Sequence, residues 1–183
     1  MFLTDTTAVI TQAKQGTFPS TWKVYRGNGN YGCANLGTLF ALGFLIIFSV
    51  MFIKYPSIFF EELVFLGIPC VICAILARKW RMDVNASLSS ILILLPEGVV
   101  QCFAGNLNNP AWLSYPNIRN IQFVQKTNVS GNEDGISTYN YYWLDVYGDD
   151  GNYYQFKISS VFGDQEFLCK TIIAAYNHYW SQN

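Results

Sequence analysis

Two apolar runs separated by a short polar break are the feature that most constrains how this chain can fold. The first run, Gly37–Ile53, has no charged residue, and the second, Ile58–Ala77, has only two glutamates near its start. An α-helix rises about 1.5 Å per residue, so roughly twenty apolar residues cross a bilayer core of about 30 Å. We therefore predict a transmembrane helical hairpin over residues 37–81, with its tight loop at Lys54–Ser57.

The main alternative for these runs is a buried pair of helices in a soluble protein. A helix at the surface of a soluble domain needs a polar face, and the first run has none, so we favour the membrane interpretation. Glu61 and Glu62 begin the second run. We expect them at the outer membrane interface rather than inside the membrane as functional carboxylates.

A basic cluster directly after the second run predicts the orientation of the hairpin. Cytoplasmic flanks of membrane helices carry an excess of lysine and arginine. We therefore expect a membrane-interface segment, cytoplasmic termini and a cytoplasmic C-terminal domain, in a protein of the bacterial plasma membrane or the thylakoid membrane. The cluster, called the basic collar below, consists of Arg78, Lys79, Trp80 and Arg81.

Three regions follow from this pattern: an N-terminal cytoplasmic segment (1–36), the hairpin with its collar (37–81) and a soluble domain (82–183). The third region carries four basic and nine acidic side chains, a balance of −5. Such a charge repels the phosphates of nucleic acid and of anionic lipid. We expect neither nucleic acid nor phosphoinositides among its ligands.

The C-terminal region has the pattern of antiparallel strands followed by one helix. The segment Thr127–Thr138 is polar and is predicted to be a loop, and Gly148–Gly151 indicates a β-hairpin turn. Asp164 is a candidate N-cap for a final helix that ends near Trp180. The strands are expected at Ser87–Leu95, Val99–Ala104, Ala111–Ser114, Ile118–Lys126, Tyr139–Tyr147 and Asn152–Ser159.

Alternation along the last two strands separates a core face from an outer face. Tyr142, Leu144 and Val146, with Tyr154, Phe156 and Ile158, are predicted to be core. The opposite face carries Tyr141, Trp143 and Tyr153, which we identify as candidate partner-binding residues, because Tyr and Trp are enriched at interface hot spots. The alternative is that these rings pack under the final helix or under the loop Thr127–Thr138.

The segment Trp112-Leu113-Ser114-Tyr115-Pro116-Asn117-Ile118-Arg119-Asn120-Ile121 resembles a short motif of small bacterial membrane proteins with a bacterial PH-like domain. In that family a strand begins with an aromatic residue or proline, and isoleucines follow three apart. The resemblance implies an α+β membrane protein with a two-helix transmembrane hairpin. A PH-like antiparallel barrel or sandwich of five to seven strands and a C-terminal helix would follow. The layout is also similar to that of the photosystem I assembly factor of cyanobacteria and chloroplasts.

The sequence carries no pattern that indicates an enzyme, a cofactor or a metal site. The single histidine, His178, has no obvious partner for acid–base chemistry. Cys70 and Cys73 form a C-x-x-C pair, which we interpret as small packing residues. We expect a membrane-anchored interaction module: an assembly factor or an accessory subunit that binds another membrane protein or complex. The alternative is a membrane redox or transport role that uses these two cysteines.

Overall fold

The computed structural model describes residues 5–30, 32–54, 59–104, 110–132 and 135–183. Only the backbone is described at 33–34, 48, 51–52, 59–67, 70, 131–132 and 135–137. The helices are α1 (Thr6–Gln15), α2 (Gly32–Lys54), α3 (Phe59–Ser89) and α4 (Gln165–Gln182). The strands are β1 (Lys23–Arg26), β2 (Ile91–Leu95), β3 (Gly98–Cys102), β4 (Ala111–Ser114), β5 (Ile118–Asn132), β6 (Gly135–Gly148) and β7 (Tyr153–Lys157).

The chain divides into two units that do not follow its order. A β unit combines Met1–Asn28 with Ser89–Asn183, and a helical unit consists of Gly29–Leu88. The sequence suggested boundaries at residues 36 and 81 instead. The N-terminal residues belong to the β unit because β1 pairs antiparallel with β2, with Lys23 opposite Leu94 and Arg26 opposite Ile91. The helical unit is thus an insertion between two neighbouring strands.

The first sheet of the β unit has the order β1-β2-β3-β4, with every neighbouring pair antiparallel. All five residues of β2 are buried. A continuous apolar run of this length is typical of a strand that is covered on both faces. Leu92 and Leu94 face the main core, whereas Ile91 and Ile93 face a second cluster that includes Ile10 and Ala13 of α1.

Helix α1 covers the second face of this sheet. The side chain of Asp5 accepts hydrogen bonds from the backbone N–H groups of Thr7 and Ala8 and so caps the helix. At the other end, the Arg26 guanidinium of β1 donates to the carbonyl oxygens of Ala13 and Lys14 at 3.2 and 3.4 Å. The N-terminal segment is therefore integrated into the fold of the β unit.

The second sheet has the order β5-β6-β7 and contains a hairpin much longer than predicted. Pairing between β5 and β6 continues to Asn132 opposite Gly135. The predicted polar loop Thr127–Thr138 is therefore wrong, since its described residues belong to two strands. Threonine, valine and serine are acceptable in a strand, and the ladder supplies the hydrogen bonds that a loop would have to find elsewhere.

Helix α4 closes the main core. Asp164 accepts hydrogen bonds from the N–H groups of Glu166 and Phe167, which confirms it as the N-cap. Leu168 and Ile172 are fully buried beside Leu144 and Val146 of β6. The core prediction is confirmed at Leu144, Val146, Phe156 and Ile158. The predicted core residue Tyr154 is instead 40% exposed.

The helical unit brings α2 and α3 together through small side chains. Ala41 and Ala77 are its buried apolar residues among those described, and a Cβ on Gly37 would lie 3.3 Å from the Ala77 Cβ. Small residues at such positions let two helices approach closely. The basic collar does not end a helix as predicted, because α3 continues through it to Ser89.

The predicted transmembrane hairpin is wrong, as judged from the length and apolar content of the described helices. Among them, no helix combines the length with the apolar content needed to cross a bilayer. The second predicted run is only the first part of a 31-residue helix that continues into Arg78, Lys79, Arg81 and Asp83. The predicted integral-membrane location and orientation, which rested on the hairpin, are corrected with it. Residues Tyr55–Ser57 of the predicted loop and the side chains of Glu61 and Glu62 lie outside the described part.

The predicted PH-like barrel is also corrected. The β unit is α+β, with two separate antiparallel sheets of four and three strands and a C-terminal helix. In the described ranges, no strand pairing joins the two sheets, so they do not close into a barrel. Strand order is a consequence of long-range pairing, which a count of strands along the sequence does not determine.

Two cysteines of the β unit are buried thiols. Cys102 and Cys169 have no exposed surface. Burial raises the pKa of the Cys169 thiol to about 11, and burial likewise raises that of Cys102. Because the thiolate is the reactive form, both side chains should be inert at neutral pH in the folded protein.

We expect iodoacetamide at pH 8 to alkylate Cys169 at least ~100-fold more slowly in the folded protein than in urea. The ordinary thiol pKa is 9.0, and a rise to about 11 lowers the thiolate fraction by about that factor before access is considered. Peptide mass spectrometry after timed quenching gives the rate. Equal rates in the two states would show that Cys169 is not enclosed by the core.

Candidate interaction site

The outer face of the second sheet gathers the aromatic side chains that the alternation predicted. The register places Trp143 opposite Lys157, Asp145 opposite Gln155, and Tyr147 opposite Tyr153. Side chains of directly opposed residues lie on the same side of a sheet. We call this surface the aromatic face and define it by Tyr139, Tyr141, Trp143, Asp145, Tyr147, Tyr153 and Gln155.

A single carboxylate organises the centre of the aromatic face. The Trp143 Nε1 group donates to Asp145 Oδ1 at 2.9 Å, and the Tyr153 hydroxyl donates to the same oxygen at 2.8 Å. Gln155 Nε2 donates to the Tyr153 oxygen at 3.2 Å. The rings of Tyr147 and Tyr153 lie 5.3 Å apart. These contacts restrict the rotamers of three aromatic side chains.

The electrostatics of Tyr153 agree with this geometry. The hydrogen bond to the Asp145 carboxylate raises the pKa of the Tyr153 phenol, and the bond from Gln155 lowers it. The phenol therefore stays protonated near neutral pH and acts as a donor to Asp145. The Tyr153 oxygen also accepts a hydrogen bond from Gln155, so donation runs from Gln155 to Tyr153 and from Tyr153 to Asp145.

The rings of the aromatic face are largely open to solvent. Tyr139 is 56% exposed, and Tyr141 and Tyr153 are each 51% exposed. Trp143 is half-buried. The alternative in which α4 or a loop covers these rings is thus not what the structure shows, since α4 packs on the opposite, core face of this sheet.

Sequence analysis named Tyr141, Trp143 and Tyr153 but not Tyr139, and it misjudged the extent of this surface. Tyr139 lies on the same face as Tyr141, beyond the end of β7, on the part of β6 that pairs only with β5. Tyr139 begins the predicted strand Tyr139–Tyr147 and lies two positions before Tyr141, so the same alternation could have placed it on this face. Alternation with Trp143 also puts Asp145 on the outer face, but its role at the centre of a network depends on the cross-strand register.

The other predicted residues do not meet at this site. The basic collar is exposed on α3 of the helical unit, and its assignment to a membrane interface falls with the hairpin. Cys73 is a free, half-buried cysteine of α3, whereas the side chain of Cys70 lies outside the described part. His178 is exposed on α4. The described residues contain no cluster of His, Cys, Asp or Glu with the geometry of a metal site.

Comparisons of the chain with protein-family models, with curated proteins and with solved structures find no match. The predicted resemblances to bacterial PH-like membrane proteins and to the photosystem I assembly factor are therefore wrong. The motif at Trp112–Ile121 spans β4, a 3₁₀ turn at Tyr115–Asn117 and the start of β5. The motif is therefore a strand, a proline-containing turn and the start of a second strand in this chain.

Proposed function

We propose that this protein is a non-catalytic interaction module, an accessory subunit or assembly factor of a larger protein complex, which binds its partner through the aromatic face. The observation that carries the proposal is the Asp145 network. It holds Trp143 and Tyr153 in fixed orientations on an exposed surface, where an unpartnered aromatic ring is otherwise unfavourable. Rotamers fixed in advance reduce the entropy lost on binding.

The chemistry of the face supports a protein partner over other ligands. Tyr139, Tyr141 and Tyr153 present wide apolar rings with a hydroxyl at the edge, which suits the mixed surface of a protein interface. Two lysines adjoin the aromatic face: Lys126 stands opposite Tyr141 and Lys157 opposite Trp143 in the register. The charge balance of −5 in residues 82–183 continues to argue against nucleic acid.

Two neighbouring tyrosines of β7 provide a matched test. Tyr153 belongs to the aromatic face, and Tyr154 points to the opposite side of the same strand, opposite Val146. We expect Tyr153→Ala to weaken partner binding at least tenfold. The loss of folding stability should be small, because the Tyr153 ring is half exposed. Tyr154→Ala should cost more stability and leave binding within twofold.

The measurement uses a photocrosslinking amino acid at position 141 of the full chain, in cells of its source, combined with each of the two substitutions. A crosslinked partner that is lost with Tyr153→Ala and retained with Tyr154→Ala supports the proposal. Crosslinking that is unaffected by Tyr153→Ala, or lost equally with both substitutions, would exclude the aromatic face as the binding surface. Thermal unfolding of both variants separates lost binding from lost folding.

A further inference from the structure

A groove of the β unit, lined by residues outside the aromatic face, has the features of a second binding site. It encloses about 920 Å³ between the edge of the first sheet and one face of α4. One wall consists of Tyr25, Leu94 and Pro96, and the opposite wall consists of Phe167, Ala174 and His178. Phe167 is 56% exposed at its rim. These residues are distinct from the aromatic face, so the groove does not depend on the proposed function.

Strand β1 forms one edge of the first sheet, and its hydrogen-bonding pattern identifies which backbone groups point outward. Gly27 donates its N–H to the Ser90 carbonyl at 2.9 Å, in the same register that pairs Tyr25 with Leu92. In an antiparallel ladder the direction alternates from one residue to the next. The backbone groups of Val24 and Arg26 therefore point away from β2.

The outward edge already shows that it can receive another backbone segment. Asn28, two residues beyond Arg26, donates its N–H to the Val161 carbonyl at 2.7 Å. Within the described residues, the outward N–H and C=O groups of Val24 and Arg26 have no such partner. An exposed strand edge of this kind is a template for the addition of an extended peptide.

The charges of the groove define the peptide further. Two charged residues line the groove, Lys23 beside Tyr25 and Glu97, and the described residues include no ion pair for Lys23. An acidic residue of a bound segment would pair with its ammonium group. The walls are otherwise mainly apolar, and alternate side chains of an added strand would enter the groove.

We infer that the groove binds an extended segment of another protein, which adds as a short strand to the outer edge of β1. The segment has apolar side chains at alternate positions and an acidic residue against Lys23. Up to four backbone hydrogen bonds with Val24 and Arg26 determine its register. Contacts with Phe167 and Ala174 of α4 select its apolar side chains.

The probe is a displayed library of random nine-residue peptides, selected against the full chain. We expect the enriched peptides to share period-two apolar residues and an acidic residue. A synthetic peptide of the enriched sequence should slow amide hydrogen exchange at Val24 and Arg26. Enriched peptides with a helical spacing of apolar residues, or no change in exchange at these two amides, would overturn the inference.

Three variants of the full chain sharpen this test. Val24→Pro removes an outward N–H that no other described residue uses, and Ala174→Phe fills the groove. We expect each to weaken the peptide at least tenfold. Asn177→Phe is the matched control, because Asn177 is exposed on α4 but does not line the groove, and it should bind within twofold of the original chain.

The outcomes of these variants decide between occupants. If Val24→Pro does not fold, the hydrogen exchange and the pair Ala174→Phe and Asn177→Phe still test the site. Peptide binding that survives Ala174→Phe would contradict the inference. A second contradicting result would combine two observations. The library would yield no enriched peptide, and a fluorescent apolar dye would bind the original chain but not the Ala174→Phe variant. The groove would then be a small-molecule site.

Discussion

Gly98→Ala is expected to destabilise the β unit by about 3 kcal/mol, which lowers its melting temperature by roughly 10 °C. Gly98 begins β3 and lies opposite Ser114 of β4. A Cβ at this position would lie far inside contact distance of the Leu113 carbonyl oxygen and 2.8 Å from the Trp112 ring. The nearest atom belongs to the backbone, so no side-chain rotation relieves the overlap and the strands themselves must separate.

Gly148→Ala is the matched control for this prediction. Gly148 ends β6, and a Cβ there would lie 2.5 Å from Asp150 Oδ1, the end of a flexible side chain. Rotation of that carboxylate costs at most its hydrogen bonds to Asn152, about 1 kcal/mol at an exposed turn. Thermal or urea unfolding measures both variants. Equal losses would show that β3 and β4 accommodate the methyl group by a small shift.

Tyr115→Ala is expected to cost about 3–5 kcal/mol, whereas Tyr115→Phe should be neutral or slightly stabilising. Tyr115 has no exposed surface, and its ring lies 5.8 Å from Tyr176 and 5.9 Å from Tyr179 of α4. Its hydroxyl is buried with no hydrogen-bond partner among the described residues. Removal of the ring leaves a cavity, but removal of the hydroxyl relieves an unsatisfied polar group.

Tyr176→Phe provides the contrast with Tyr115→Phe. The Tyr176 hydroxyl donates to the Ile118 carbonyl at 3.1 Å, and this bond is buried. Its loss should cost about 1 kcal/mol, because the carbonyl is left without that donor. Urea unfolding at pH 7 compares the two. If Tyr115→Phe proves the more destabilising, the Tyr115 hydroxyl has a bonding partner after all.

The same residue gives an expected pH dependence. Burial raises the pKa of the Tyr115 phenol far above its ordinary value of 10.0. Below pH 10 both the folded and the unfolded chain hold the proton, so the free energy of unfolding is unaffected. Above pH 10 the unfolded chain releases the proton and the folded chain keeps it, so stability falls by about 1.4 kcal/mol per pH unit.

Tyr115→Phe should remove this part of the alkaline loss. Between pH 10 and 11.5 the free energy of unfolding of the variant should fall less steeply than that of the original chain. The difference between the two slopes should be about 1.4 kcal/mol per pH unit. Other phenols and thiols titrate in both proteins and cancel in the difference. Parallel curves would contradict the buried, protonated state of Tyr115.

Local patterns in the sequence predicted the C-terminal half of the β unit well. Alternation placed Leu144, Val146, Phe156 and Ile158 in the core, and the structure confirms these positions. Asp164 was identified as an N-cap from its residue type and position alone. These predictions succeed because side-chain period and capping chemistry act over a few residues, where composition and conformation are directly linked.

The same local reasoning failed where a polar or apolar segment can belong to more than one structure. Thr127–Thr138 has the composition of a loop, yet its described residues extend a two-stranded ribbon. The apolar runs that suggested a membrane hairpin belong to α2 and α3, and no helix among the described residues satisfies the requirement for crossing a bilayer. Composition does not reveal where a helix ends, and α3 continues through its charged residues to Ser89.

The candidate sites divide in the same way. Alternation alone placed Tyr141, Trp143 and Tyr153 on one face, since strand neighbours two apart share a side. The network at Asp145 required the register between β6 and β7, and the groove required β1 to pair with β2 and α4 to lie across the core. Sequence by itself determined the faces of strands and the start of α4, because these depend on neighbouring residues. Only the tertiary structure decided that Lys23–Arg26 is the edge of a sheet, because its partner Ile91–Leu94 lies more than sixty residues away and long-range pairing leaves no local signal.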